Sequence, residues 1–318
     1  MSLLHEPGAV VMAVYRPNRA LLERQIHSLR AQSVSDWRCI IGVDGLDQEA
    51  LSLVQASVDG DPRFDVIEFQ ENVGVYAHFE RLLARVPEGV AWVSLADQDD
   101  YWYRNKFARL LAALDRPGVT AVLGQARLVS DKGDYRGRTE RRPGDLVETI
   151  LRNQLTGSLA VVSSEVLASA FPFPSANSMA IHDHWLAVCA AATGRIALVD
   201  EVLQDYVQHG SNVLGERRPT RVRDIARSVR RAGGVRSLIN EVTIEQWAWR
   251  VSMASTVLAR SPSLDDRRVV ERLAQGIPSA ATARTLLRAV LRRQLSVVAA
   301  VGMLVASAKW SGREPDSP

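Results

Sequence analysis

Four times between residues 9 and 114 a short apolar run, rich in β-branched residues, gives way to a stretch whose apolar residues recur at helical spacing. Residues 9–15 lead into 19–32, where Leu22, Ile26 and Leu29 mark one face; 37–43 precede 49–58; 64–69 precede 75–85; and 91–95 precede 106–114. Strands alternating with helices at about 30-residue spacing predict an α/β chain with a Rossmann-like, mostly parallel sheet and helices on both faces. Parallel strands need a crossover, and the helix supplies it. Open sheets of this kind bind ligands beyond the carboxyl ends of their strands. The polar residues that follow the four runs are Tyr15, Asp44, Asn72 and the acidic group at 97–100, so all are expected along one rim.

The last of these carries the most charge. Leu95-Ala96-Asp97-Gln98-Asp99-Asp100 sets three carboxylates within four residues at the end of an apolar strand. Their repulsion has to be met by hydrogen-bond donors or by a hard divalent cation, and Mg²⁺ or Mn²⁺ suits oxygen ligands. The Asp97-x-Asp99 spacing sends two side chains the same way from an extended backbone. For an isolated Asp-x-Asp-Asp the competing reading is a solvated acidic turn that caps the next helix. The shared rim with Tyr15, Asp44 and Asn72 weighs for the cation.

Further along, 119–124 and 155–162 read as strands, 181–191 as a helix opening at His182-Asp183, and 196–206 as a strand; 130–143 is a polar, mobile loop. Beyond residue 216 the periodicity is helical almost throughout, with breaks at Gly233-Gly234, Ser261-Pro262-Ser263 and Gly276-Ile277-Pro278. Charge divides at the same place. Residues 1–216 hold 20 Lys/Arg and 28 Asp/Glu (net −8), and residues 217–318 hold 19 and 8 (net +11). Two regions with different partners follow: a domain at 1–216 and a basic helical region at 217–318, read as membrane-associated or oligomerising.

Cys39 and Cys189 are far apart in apolar surroundings, which fits small buried side chains in a reducing compartment. The first 18 residues show no basic segment followed by a long apolar core, so a cytoplasmic location is expected.

The rim residues, together with Tyr15 and Pro17, Val43-Asp44-Gly45, Asn72-Val73-Gly74, the DQDD segment with Trp102 and Lys106, His182-Asp183-His184-Trp185 and Gln208-His209-Gly210-Ser211-Asn212, resemble the inverting family 2 glycosyltransferases. The likeness covers about residues 8–216 and is strongest for the bacterial rhamnosyltransferase-like branch. It implies a GT-A fold and transfer of a sugar from a nucleotide-diphosphate donor to a hydroxyl of a saccharide or lipid-linked saccharide, in surface polysaccharide synthesis.

By the same likeness Asp44 receives the base or ribose, with Tyr15, Asn72 and Gln98 also on the donor. Asp97 and Asp99 hold Mn²⁺ or Mg²⁺ on the diphosphate, His209 joins them, and Asp183 takes the acceptor proton. Gly157, His182 and Trp185 fall on the acceptor side. Bottom-up, Asp183 is equally a helix cap, and Gly157 equally a strand turn. Relatives carry two acids and a hydroxyl where this chain has Val43-Asp44-Gly45-Leu46-Asp47, which leaves base preference open.

Two other functions share these features. A nucleotide-sugar-binding scaffold would keep the pocket without turnover. A metal-dependent nucleotidyltransferase also ends its sheet in acids, but no Gly-rich, Lys/Arg-bearing triphosphate loop follows the first strand here. In the tail, Arg284, Arg288, Arg292 and Arg293 precede an apolar stretch at 295–308. Its 14 residues are short of the roughly 20 needed to span a bilayer, so a buried helix or one lying in the membrane interface is expected. Arginine beside apolar surface suits anionic lipid. No nucleic-acid recognition motif is present, and no nucleic-acid partner is expected.

Overall fold

The computed structural model describes residues 2–208 and 235–310, except 262, 265, 278, 293 and 294. The chain divides into two compact units. The first comprises Met1–Asp145, Asn153–Phe173 and Ile181–Leu214. It holds nine strands in one sheet: β1 (Gly8–Val14), β2 (Trp37–Val43), β3 (Phe64–Glu68), β4 (Trp92–Ala96), β5 (Tyr101–Trp102), β6 (Val119–Ser130), β7 (Tyr135–Arg138), β8 (Ala160–Ser163) and β9 (Arg195–Gln208). Their order is β3-β2-β1-β4-β8-β6-β9-β5, with β7 paired to β6.

The first four strands run parallel, as the sequence pattern predicts: β1 pairs with β2 and β4, and β2 with β3. Their crossovers are α1 (Arg19–Arg30), α2 (Gln48–Val58) and α3 (Gly74–Leu83), with α4 (Lys106–Leu114) after β5. Three of these boundaries have a clear local cause. The Asn18 side chain accepts from Leu21 N–H to start α1, whose Leu22, Ile26 and Leu29 face the core, and Asp47 does the same for α2 through Ala50 N–H. The left-handed Asp59 ends α2.

Beyond β4 the sheet becomes mixed. β8 is antiparallel to both β4 and β6, β9 is parallel to β6, and β5 is antiparallel to β9. Between β6 and β8 this unit contains a hairpin strand and a 3-10 turn at Gly157–Leu159, with no crossover helix to restore a parallel direction. Part of the loop expected at 130–143 is therefore sheet: β6 extends to Ser130 and folds back as β7. Trp92, Trp102 and Phe107 meet in the core with ring centroids 4.8 and 5.5 Å from Phe107. Truncating a tryptophan there costs about 3–5 kcal/mol. Short α6 (Glu165–Ala170) and α7 (His182–Thr193) complete the unit.

The second unit comprises Leu146–Arg152, Pro174–Ala180 and Gly215–Pro318. Its helices are α5 (Leu146–Leu151), α8 (Val235–Arg260), α9 (Arg267–Ala274), α10 (Ala280–Leu291) and α11 (Val297–Trp310). Arg250 of α8 donates to the Leu151 carbonyl, which ties α5 to the later helices despite the distance in sequence. The breaks expected near 261–263 and 276–278 separate α8, α9 and α10, and a Ser279–Thr282 capping box opens α10. Residues 217–234, with seven of the arginines, lie outside the described residues. Among the described residues, no helix is long and apolar enough to cross a membrane.

Candidate active site

The register brings the rim together. Val14 pairs with Val43 and Met12 with Ala96, so Tyr15, Asp44 and Asp97 leave three adjacent parallel strands at the same end. At the β2 tip, Asp44 is only 5% exposed. Its carboxylate accepts from Val73 N–H and Gly74 N–H, both at 3.1 Å, and from the Arg81 guanidinium; Asn72 Nδ2 donates to its carbonyl at 3.2 Å. Arg81 is itself held by the Glu71 carbonyl and by His78, whose other ring nitrogen lies 2.8 Å from the Gly42 carbonyl.

Gly45, at φ 98°, is required here, because a Cβ would come 3.2 Å from Asn72 Cβ in a backbone region that disfavours side chains. Asp44, expected to receive the base or ribose, already accepts from these donors and fixes the 72–74 turn. Asn72 itself is exposed.

Gln98 is used in a related way. Its amide accepts from Tyr15 N–H at 3.0 Å and donates to Tyr15 C=O at 3.1 Å, copying a strand partner and locking the tips of β1 and β4 together. The Tyr15 side chain is left 48% exposed at the rim.

At the β4 tip the balance is opposite. Asp97 and Asp99 are partly exposed and Asp100 is fully buried. Burial, then the charge of Asp99, pushes the Asp97 carboxyl up to about 7, with Asp183 adding to the effect. Asp100 is also driven well above the usual carboxylate range, by burial and by both neighbours. Beneath them runs a buried polar chain. Gln204 Nε2 donates to Asp100 Oδ2 at 2.8 Å and to Ser158 Oγ at 3.2 Å, while Lys106 Nζ donates to Gln204 Oε1 at 2.6 Å and to the Ser158 carbonyl. Lys106 also sits over the Trp102 ring, 3.2 Å from its centroid. Burial drives the Lys106 amine well below the usual lysine range, against the pull of the Asp100 and Asp97 carboxyls.

Asp183 stands in the first turn of α7. Asn153 Nδ2 donates to its Oδ1 at 2.7 Å and Gly157 N–H to its Oδ2 at 3.2 Å. Burial pushes its carboxyl up to about 6 against these donors and the nearby Arg141 guanidinium. A carboxylate held at both oxygens with a proton affinity near neutrality suits a general base. Gly157 contributes through its N–H; a side chain there would meet Leu95 and Asp183 Cβ at ordinary contact distance.

Two expected acceptor contacts are corrected. Trp185 is fully buried, with its indole donating to the Ala170 carbonyl at 2.8 Å, and is a core residue. His182 is 9% exposed and stacks on Phe79 at 3.9 Å between centroids; burial lowers its pKa to about 3, so the ring stays neutral. His184, on the same turn, is buried as well. His209 lies outside the described residues.

Lys106 belongs to the motif read from sequence, and three further site residues escaped that reading. Gln204 had a usable signal, a glutamine within an apolar strand. Asn153 and Arg141 had none, since only folding brings their segments to α7.

Among the described residues no group of three or more His, Cys, Asp or Glu forms a ready-made metal site. The residues present nevertheless fit an Mg²⁺- or Mn²⁺-type ion, whose usual mode is one or two carboxylates with the remaining positions taken by substrate phosphates and water. Asp97 and Asp99 supply hard oxygens, and burial together with the charges of Asp99 and Asp183 raises the Asp97 pKa, a cost that a bound cation would offset.

Comparison with known proteins bears on the family and the fold. Over 213 residues the chain is 26% identical to an uncharacterised glycosyltransferase of Nostoc sp. (strain PCC 7120), covering 64% of this chain and 65% of that protein, so it spans just under two thirds of that relative's length. A 93-residue stretch is 33% identical to an uncharacterised protein of Sinorhizobium fredii, covering 29% of this chain and 10% of that one.

Among solved structures, TarS 1–349 of S. aureus in complex with UDP-GlcNAc superposes with a TM-score of 0.55 at 11% identity, over 96% of this chain and 91% of that one. The mannosyltransferase PcManGT of Pyrobaculum calidifontis, in complex with GDP-Man and Mn²⁺, gives 0.50 at 16% identity, over 98% and 90%. These are likenesses of fold, the mixed α/β sheet of GT-A glycosyltransferases. The pattern of Glycosyl transferase family 2 matches residues 9–168, half of the sequence and every strand tip from Tyr15 to the DQDD segment, and the chain belongs to that family.

Proposed function

We propose that the protein transfers a sugar, with inversion, from a nucleotide-diphosphate sugar to a hydroxyl of a saccharide or lipid-linked saccharide. The observation that carries the reading is the nearness of Asp183, held by Asn153 and Gly157 at the start of α7, to Asp97 and Asp99 at the β4 tip. Asp183 Oδ accepts the acceptor hydroxyl proton while the oxygen attacks the anomeric carbon from the face opposite the diphosphate. Asp97 and Asp99 hold a divalent ion, which when bound supplies positive charge to the diphosphate oxygens as they accumulate charge.

Lys106, Gln204 and Ser158 keep the acidic loop in place from below. Asp44 shapes the nucleoside wall through the 72–74 turn, with Tyr15 and Asn72 on its open side. Resemblance to the rhamnosyltransferase-like branch supports surface polysaccharide as the acceptor class.

Nucleotide sugars screened with and without Mn²⁺ for thermal stabilisation identify the donor, since a ligand bound only by the folded state raises the midpoint. Nucleoside diphosphate released with a suitable acceptor then supports the reading. Pyrophosphate released from a nucleoside triphosphate, or donor binding without any release, overturns it.

A further inference from the structure

The second unit carries a surface that the sugar-transfer reading does not use. In α10, Leu286 and Ala289 are buried while Leu287 and Leu291 are 58% and 73% exposed. In α11, Ala300, Met303 and Ala306 are buried while Val297, Val301 and Val305 are 62%, 52% and 38% exposed. Both sets recur at i, i+4, so each helix packs through one face and presents an aliphatic row on the other. Isolated exposed leucines are ordinary; rows on two consecutive helices are not.

The charge beside those rows has one sign. Arg284 and Arg288 are exposed and stand three residues ahead of Leu287 and Leu291, which places an arginine row along the leucine row. From residue 272 to 313 the sequence contains Arg272, Arg284, Arg288, Arg292, Arg293, Lys309 and Arg313 and no Asp or Glu. The last acid before this span, Glu271, is paired with Arg267 at 3.0 Å.

We infer that the α10–α11 surface docks on an anionic lipid bilayer, the aliphatic rows entering the interface and the arginines binding lipid phosphates. Charge selects among occupants. A two-fold contact with a second copy would bring the same basic surface against this one, with no acid between residues 272 and 313 to pair with the arginines. Nucleic acid would satisfy the arginines and leave the leucines and valines with nothing to gain. A bilayer surface with anionic head groups over hydrocarbon satisfies both. Neither helix is long enough to span, which makes this a surface contact. The inference is independent of the chemistry at the strand rim.

Co-sedimentation of the full chain with phosphatidylcholine vesicles, alone or mixed with phosphatidylglycerol, tests it. The chain is expected to sediment with the mixed vesicles, weakly with phosphatidylcholine alone, and less as salt rises. The double change Leu287→Ser with Leu291→Ser weakens partition by about tenfold or more. Arg284→Gln with Arg288→Gln does so by a similar factor, with the salt dependence reduced.

All four positions are exposed, so the thermal midpoint and nucleotide-sugar binding should match the parent, and the arginine pair remains informative if the serine pair folds poorly. Failure of the parent to sediment with mixed vesicles overturns the inference, as does sedimentation unchanged in both variants. A parent dimer that the leucine changes dissociate, or duplex DNA binding as tight as vesicle binding and insensitive to those changes, also overturns it.

Discussion

Two ends of one strand rim treat their carboxylates in opposite ways. At the β2 tip, Asp44 meets two backbone N–H groups and the Arg81 guanidinium and is closed to solvent. At the β4 tip, Asp97 and Asp100 both have pKa values raised by burial and by neighbouring carboxylates, with one buried lysine, Lys106, pulling the other way. A carboxylate matched by a guanidinium adds order to a turn, whereas buried carboxylates with raised pKa values cost stability when they ionise together. The contrast shows a turn built on the first tip and supports the proposal that the second takes the ligand.

The largest test of that contrast lies at the base. Asp183→Asn keeps the acceptors for Asn153 and Gly157 poorly matched but nearly isosteric, and should lower kcat by about 10²–10⁴ with donor affinity unchanged, as measured by steady-state rates and calorimetric titration. Because the base must be ionised, kcat/KM in the parent should fall as pH drops through about 6. Rates that stay flat from pH 7 down to pH 5 contradict the assignment.

Next comes the buried lysine. Lys106→Met removes the amine that joins Gln204 and Ser158 beside Asp100 and should cost about 3–5 kcal/mol in urea unfolding. Adding Asp100→Asn should restore part of that loss, and a strictly additive double variant would show that the two groups are not coupled.

The β2 tip predicts a smaller loss. Asp44→Ala strands Arg81 and two N–H groups, at about 1.5–3 kcal/mol, while leaving any Mn²⁺-induced rise in thermal midpoint in place.

The smallest effect has the opposite sign. A group whose folded pKa is raised opposes folding when ionised. For Asp97 that cost is absent below 3.8, grows as pH rises towards about 7 and is complete above it. With divalent ions chelated, Asp97→Asn should therefore be more stable than the parent by about 1 kcal/mol or more at pH 8, with no gap at pH 4. The same change should abolish the Mn²⁺ response. Stabilisation by Asp44→Ala, or destabilisation by Asp97→Asn, would erase the distinction between the tips.

Much of the first half was readable before folding was known. The alternation of apolar runs with amphipathic stretches specified four parallel strands and the end at which Tyr15, Asp44, Asn72 and the DQDD segment emerge, because strand and helix periods are local properties of side-chain order. Trp185 and His182 were misread for the reverse reason. Polar or aromatic residues near a helix start look available in sequence, and only packing shows one indole sealed against Ala170 and one imidazole stacked on Phe79.

What the sequence by itself determined is the set of charges and their order: an acidic rim, a single lysine on the inner face of α4, and a basic end without acids. What only the tertiary structure decided is which charges meet. The antiparallel entry of β8 carries Gly157 and Ser158 beneath the DQDD loop, and the chain before it brings Asn153 to Asp183. Those pairings span up to 104 residues, as between Asp100 and Gln204, and no local pattern encodes them, because their energies exist only after the core has closed and water has left.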